Sequence, residues 1–136
     1  MKVLLIYCKV FAYTPTSKTL EMAEVDEKPA SFDQVQTAFI QVEAEDLEKE
    51  SQVAKKLLKN IKWVCGKNGT KKVVLHSFAH LSESKADPEF SKSIFDHVQE
   101  RLQNVGYEVA QTPFGYFLDL KVDAPGFSLA RVFKSF

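Results

Sequence analysis

Much of what usually announces chemistry is missing from this chain of 136 residues. Cysteine is scarce: Cys8 and Cys65 lie far apart, without C-x-x-C spacing or a histidine partner. That argues against a zinc or redox motif and for reduced, buried structural thiols. The three histidines, His76, His80 and His97, do not cluster. His76 and His80 are four apart, but a strand running into a loop does not put them on one face as a helix would, so no metal is expected. There is no G-x-x-x-x-G-K-[ST], no G-x-G-x-x-G and no G-x-S-x-G, which removes the usual phosphate cradles and the nucleophile elbow. No cofactor is signalled. No apolar run approaches the roughly 20 residues of a membrane helix. Val3 to Tyr7 is too short for a signal-peptide core, so a cytoplasmic location is expected. Net charge is also lacking. The 18 basic and 18 acidic residues cancel, so nothing global draws the protein onto nucleic acid or an anionic membrane, and any RNA contact must be local.

What is present reads as one α/β domain spanning 1–136. Val3–Ala12 is a near-continuous apolar run and predicts a buried strand. Thr14-Pro15-Thr16-Ser17 has turn chemistry, Thr19–Val25 is expected to return as a second strand, and Asp26–Asp33 reads as a loop. Gln36–Glu43 predicts a third strand with Ala38, Ile40 and Val42 on one face. Val53, Leu57, Ile61 and Val64 recur at helical spacing, acids precede them and lysines follow, and Gly66-Lys67-Asn68-Gly69 stops the helix. Lys72–Phe78 is a central strand. A second helix opens on Asp87 as N-cap with Pro88 at its first position. It buries Phe90, Ile94, Val98 and Leu102, and closes at Asn104-Val105-Gly106. Tyr107–Thr112 and Tyr116–Val122 are two further strands joined through Pro113-Phe114-Gly115. Phe127–Phe136 fits a strand or a short helix. Helices between strands call for parallel crossovers, and hairpins at both ends call for a mixed sheet.

Two strings stand where a strand ends and a turn begins: Phe78-Ala79-His80-Leu81-Ser82 and Pro113-Phe114-Gly115-Tyr116-Phe117. His80 follows a strand end, where α/β sheets open their ligand crevice. Backbone amides beside Gly115 suit a carboxylate or ester oxygen, although a hairpin with packed aromatics explains the same residues. His97 reads as a solvated helix histidine. The lysines from Lys55 to Lys72 read as a wet helix face rather than an RNA footprint.

These strings, together with Lys2-Val3-Leu4-Leu5-Ile6, Ala38 to Glu43 and Asn104-Val105-Gly106-Tyr107, resemble the N-terminal editing domain of archaeal threonyl-tRNA synthetase. The resemblance runs nearly end to end. It implies a D-aminoacyl-tRNA deacylase-like fold, commonly homodimeric, that hydrolyses serine wrongly attached to threonine tRNA. Phe78, Ala79 and His80 then form one pocket wall, and Phe114, Gly115 and Tyr116 the other. Water attacks the ester, with His80 and Tyr116 lining the pocket and backbone groups near Ala79 and Gly115 holding the aminoacyl-adenosine of the tRNA acceptor end. Four positions depart from the family. A usual tyrosine is Phe117, a functional lysine is Leu118, and a pocket glutamate is Arg131 by register. Lys9 stands where an aspartate is frequent. Lys9 and Arg131 are therefore expected as substitute electrostatic partners near the ester. The competing expectations are a dimeric module that binds the tRNA 3′ end or a nucleoside without cleaving it, and a structural appended domain in which Phe117 and Leu118 close over the pocket. Phe136 ends the chain without a linker, which favours a stand-alone protein over one joined to a synthetase.

Overall fold

One long strand organises the molecule. In the computed structural model, which describes residues 1–136, β1 runs from Lys2 to Lys18. It pairs antiparallel with β2 (Ala30–Gln41) from Lys2 to Tyr13. After β2 come a 3-10 turn (Ala44–Lys49), α1 (Glu50–Asn68), β3 (Lys72–Ser77), α2 (Pro88–Gln103), β4 (Glu108–Gln111), β5 (Tyr116–Asp123) and β6 (Arg131–Ser135). β3 adds parallel to β2 and β4 parallel to β3, because α1 and α2 serve as their crossovers. The sheet order is β4-β3-β2-β1-β5, and β6 also pairs with β1. β5 and β6 divide β1 between them: β6 takes Lys2–Ile6 and β5 takes Val10–Lys18.

The core explains why these segments hold together. Val3 and Leu5, Ala38 and Ile40, and Val73 and Leu75 form one sheet face, buried against Val53, Leu57 and Ile61 of α1 and Ile94, Val98 and Leu102 of α2. Each fully buried aliphatic side chain of this kind contributes about 1.5–3 kcal/mol. The opposite face carries a second cluster built on Cys8, Phe11, Tyr13, Val35, Phe39 and Val74. Side-chain alternation skips a step in both strands of the β1–β2 ribbon. Leu4, Ile6 and Cys8 join this second cluster, but so do Phe11 and Tyr13, and opposite the skip Gln34 adopts φ +49°. A further irregularity falls between Pro15 and Ser17. Such features bend a strand and raise its twist. The far end of β1 accordingly returns to the C-terminal end of β3, where Thr19 and Leu20 share a cavity with Ser77 and Phe78.

Several expectations hold. α2 starts as anticipated, with the Asp87 carboxylate accepting from the Phe90 amide at 2.9 Å and Pro88 in the first turn. Ala38, Ile40 and Val42 do share the helix-facing core. Both cysteines are buried free thiols. Others are corrected. Thr14–Ser17 is not a turn but part of β1, because a proline is tolerated at a bulge. Thr19–Val25 is not a strand; the Ala23 amide bonds the Leu20 carbonyl at 3.1 Å in a local turn. β2 begins at Ala30, inside the expected loop. α1 passes through Gly66 and stops at Gly69, whose φ of +67° makes the left-handed cap. The C-terminal tail is a strand. Pro113-Phe114-Gly115 is no hairpin: the crossover through α2 places β4 at one edge of the strand order, while β5 lies at the other.

Candidate functional site

The bend in β1 and the crossing Thr112–Gly115 connection enclose a cavity of about 440 Å³ at the C-terminal end of β3. Ser77, Phe78, Ala79 and His80 form one wall, and Thr112 through Leu118 form the other. Ile40, Gln41 and Val42 come from the end of β2. Phe95 of α2, with Pro88 and Ser91 at that helix's start, completes the lining beside Leu20.

The first wall is held by hydrogen bonds to β2. The Phe78 amide donates to the Ile40 carbonyl at 3.0 Å. Gln41, only 2% exposed, then clamps the following loop. Its Oε1 accepts from the Leu81 and Ser82 amides at 2.6 and 2.7 Å, and its Nε2 donates to the Ser82 and Ser84 carbonyls at 2.7 and 2.9 Å. Further along, the Ser82 hydroxyl donates to Glu43 Oε2 at 2.7 Å, and Glu43 Oε1 accepts from the Met1 ammonium at 2.6 Å and from Lys2 Nζ at 3.0 Å. Burial acts to raise the Glu43 pKa, but hydrogen bonds from Met1, Ser82 and Lys2 prevail and hold it at about 2. The aromatic edge is ordered too, with the Phe78 ring edge-to-face on Phe39 at 5.1 Å and on His80 at 4.9 Å.

The second wall is anchored by Thr112, whose amide donates to the Leu75 carbonyl at 3.0 Å and whose Oγ1 shares a 2.9 Å hydrogen bond with His76 Nδ1. Phe114 meets Phe95 edge-on at 6.0 Å. Gly115 has φ +82°, and its carbonyl accepts from the Thr19 amide at 2.7 Å. A Cβ there would sit 2.8 Å from the Ala23 Cβ, so only glycine lets the 19–29 loop close on this wall. The Tyr116 hydroxyl accepts from the Asp26 amide at 3.2 Å, which ties the same loop down.

The structure thus gathers Phe78, Ala79, His80, Phe114, Gly115, Tyr116, Phe117 and Leu118 around one cavity. Lys9 and Arg131 are not among its lining residues. Arg131 opens β6 opposite Ile6, and its exposed guanidinium donates to the Pro125 carbonyl at 3.1 Å. Lys9 is exposed on β1. Strand geometry explains both placements: β6 pairs with the near half of β1, whereas the cavity forms at its far end. Phe117 does not close the cavity, being 64% exposed, while Leu118 packs against the second core cluster.

Electrostatically the cavity is unusual for what it omits. No carboxylate lines it, and Lys85 is the only Lys or Arg that does. His76 is 6% exposed, and burial, followed by the nearby His80, lowers its pKa to about 4, so it is neutral near pH 7. His80 is exposed at the mouth. The amides of Ala79, His80, Phe114 and Gly115 make no hydrogen bond within the chain, which leaves four donors at the two walls. No group of three His, Cys, Asp or Glu side chains converges as a metal site would require. Burial pushes both thiols up, Cys65 to about 12, so neither is poised as a nucleophile.

Sequence reading missed Gln41, Thr112 and Lys85. A glutamine ending an apolar strand is a legible anomaly, because buried amides need partners. Lys85 sits in an aperiodic loop and carries no such signal.

No helix is long and apolar enough to cross a membrane. A profile of the archaea-specific editing domain of threonyl-tRNA synthetase matches residues 1–136. Among curated relatives, the threonine–tRNA ligase of Nitrosopumilus maritimus is 33% identical over 98% of this chain, and that of Pyrococcus horikoshii is 32% identical over 99%. The chain spans only 21% and 22% of those two proteins. Among solved structures, the c-Myc DNA Unwinding Element Binding Protein superposes with a TM-score of 0.73 over 99% of this chain and 98% of its own, at 10% identity, so the likeness is one of fold. The mixed sheet and two helices are the single-domain α/β architecture expected. With both walls of the cavity built from the strings that carry the resemblance, the chain belongs to the archaea-specific editing-domain family of threonyl-tRNA synthetase.

Proposed function

We propose that this domain hydrolyses the ester of misacylated tRNA, removing serine from threonine tRNA in the cytoplasm, alone or with a threonyl-tRNA synthetase. The observation that carries this reading is the cavity itself, open at the C-terminal end of β3 and walled by both family strings. Its chemical rationale is discrimination. Serine and threonine differ by one methyl, worth about 1–3 kcal/mol in a pocket, so a second hydrolytic sieve is needed.

In this reading the terminal adenosine and its amino acid lie between Phe78–His80 and Phe114–Tyr116. The unpaired amides of Ala79, His80, Phe114 and Gly115 provide fixed donors for substrate oxygens, including the oxyanion formed when water adds to the ester carbonyl. Collapse breaks the bond to the ribose oxygen and releases serine and free tRNA. Neutral His76 and Thr112 polarise the far end of the cavity without adding charge. Val122, an exposed apolar side chain on the edge strand β5, supports a homodimer. Sedimentation of the wild type as a dimer, and of Val122→Lys as a monomer, is the expected result.

The decisive assay compares release of serine from seryl-threonine-tRNA with release of threonine from the cognate ester. Selective serine release is expected. A second reading draws on Leu118 and the carboxylate-free lining: a module that binds the acceptor end without cleaving it. Binding of a non-hydrolysable seryl-adenosine analogue with no ester cleavage above background would establish that reading instead.

A further inference from the structure

We propose that Lys85 is a positioning residue that binds the 5′-phosphate of the terminal nucleotide at the mouth of the cavity. This rests on the reading of the cavity as the site of an aminoacylated RNA 3′ end. The motivating fact is a charge count: Lys85 is the only Lys or Arg lining the cavity, and no carboxylate lines it. Its ammonium is within 4.0 Å of no acidic side chain, although Glu83, Asp87 and Glu89 flank it in sequence.

The root of the side chain is fixed. On one side, the Ser84 hydroxyl donates to the Glu45 carboxylate at 2.9 Å and accepts from the Ala44 amide at 3.0 Å, while the Ser84 carbonyl accepts from Gln41. On the other side, the Ala86 amide donates to the Val42 carbonyl at 2.9 Å. Between these tethers Lys85 lines the cavity. It is exposed, and this decides its role. An ammonium in water at the mouth suits a phosphate that stays partly solvated, whereas one acting on the ester would have to reach the dry interior among Phe95, Phe114 and Leu118.

A pair of minimal substrates isolates one phosphate: 3′-O-seryl-adenosine and its 5′-monophosphate. Wild type is expected to show a lower KM for the phosphorylated ester. Lys85→Met should raise that KM about three- to tenfold, leave kcat within twofold, and leave the phosphate-free ester unchanged. Lys85→Arg should restore most of the difference, and Lys55→Met, on the outer face of α1, should change nothing. With whole tRNA, the salt dependence of binding should fall by about 0.7 in log–log slope, as for one lost contact to a single strand. An equal loss on both esters, or no loss on either, overturns the proposal. If wild type cleaves neither ester, hydrolysis fails as a reading, but the same four proteins titrated with the non-hydrolysable amide analogues still test Lys85. A phosphate preference lost in Lys85→Met then supports it, and no preference in wild type refutes it.

Discussion

His76 shows how a single residue can be placed by packing and used by its neutrality. Its ring meets Phe39 edge-on at 4.9 Å and bonds Thr112, and burial lowers its pKa from 6.5 to about 4. The unfolded chain binds the proton near pH 6.5 while the folded one stays neutral to about pH 4, so stability falls as pH drops through that window. The loss should approach about 3 kcal/mol, read by urea titration at steps between pH 7 and 4. His76→Gln should flatten the profile; an unchanged slope would show that another group carries it. Gly115 is the other residue with little latitude. Gly115→Ala combines φ +82° with a 2.8 Å approach to Ala23. It should cost about 1–3 kcal/mol and speed proteolysis in the 19–29 loop. Gly66→Ala meets nothing within 4 Å and should be neutral or stabilising.

At the scale of elements, the loop after β3 depends on β2 rather than on itself. Gln41→Ala removes four hydrogen bonds and strands two amides, so about 2–4 kcal/mol of stability should go, with faster hydrogen exchange at Leu81 and Ser82. Glu43 joins the same loop to the Met1 ammonium. Because its folded pKa of about 2 lies below its ordinary 4.5, its contribution is complete above pH 4.5 and disappears as pH falls towards 2. Solvent still reaches the side chain, at 10% exposure, so about 1–2 kcal/mol is expected. Urea titrations of Glu43→Gln against wild type over pH 5 to 2 should converge at the acid end. Helix α2 was legible residue by residue, because Asp87, Pro88 and the Phe90–Leu102 spacing act locally. β1 was not. Its Pro15 reads as a terminator, and only pairing with β5 turns it into a bulge.

The whole molecule decides which cations can take part in chemistry. The family resemblance set Arg131 in the place of a pocket glutamate and Lys9 in that of a frequent aspartate. In the fold both lie off the cavity, because β6 and β5 occupy different halves of β1. Arg131→Ala should therefore alter seryl-tRNA hydrolysis less than threefold, and a loss of tenfold or more in kcat would return Arg131 to the site. Lys85 takes its place by another route, through tethers from Ala44 and Val42 that no short-range pattern encodes.

Local information settled α2 with its Asp87 cap, the buried faces of both helices, the apolar stretches of the central strands and the two strings that carry the family resemblance, since each depends on residues within a few positions of one another. The family resemblance, rather than periodicity, paired Phe78–His80 with Phe114–Tyr116 as two walls, and the cavity is lined by both. Tertiary structure alone decided that Pro113–Gly115 crosses between sheet edges, that β1 bends back to enclose a cavity, and that the charge on its lining comes from Lys85. Those outcomes depend on strand partners far apart in sequence. Backbone hydrogen bonds claim those partners in the order the crossover helices permit, whatever the intervening residues would prefer on their own.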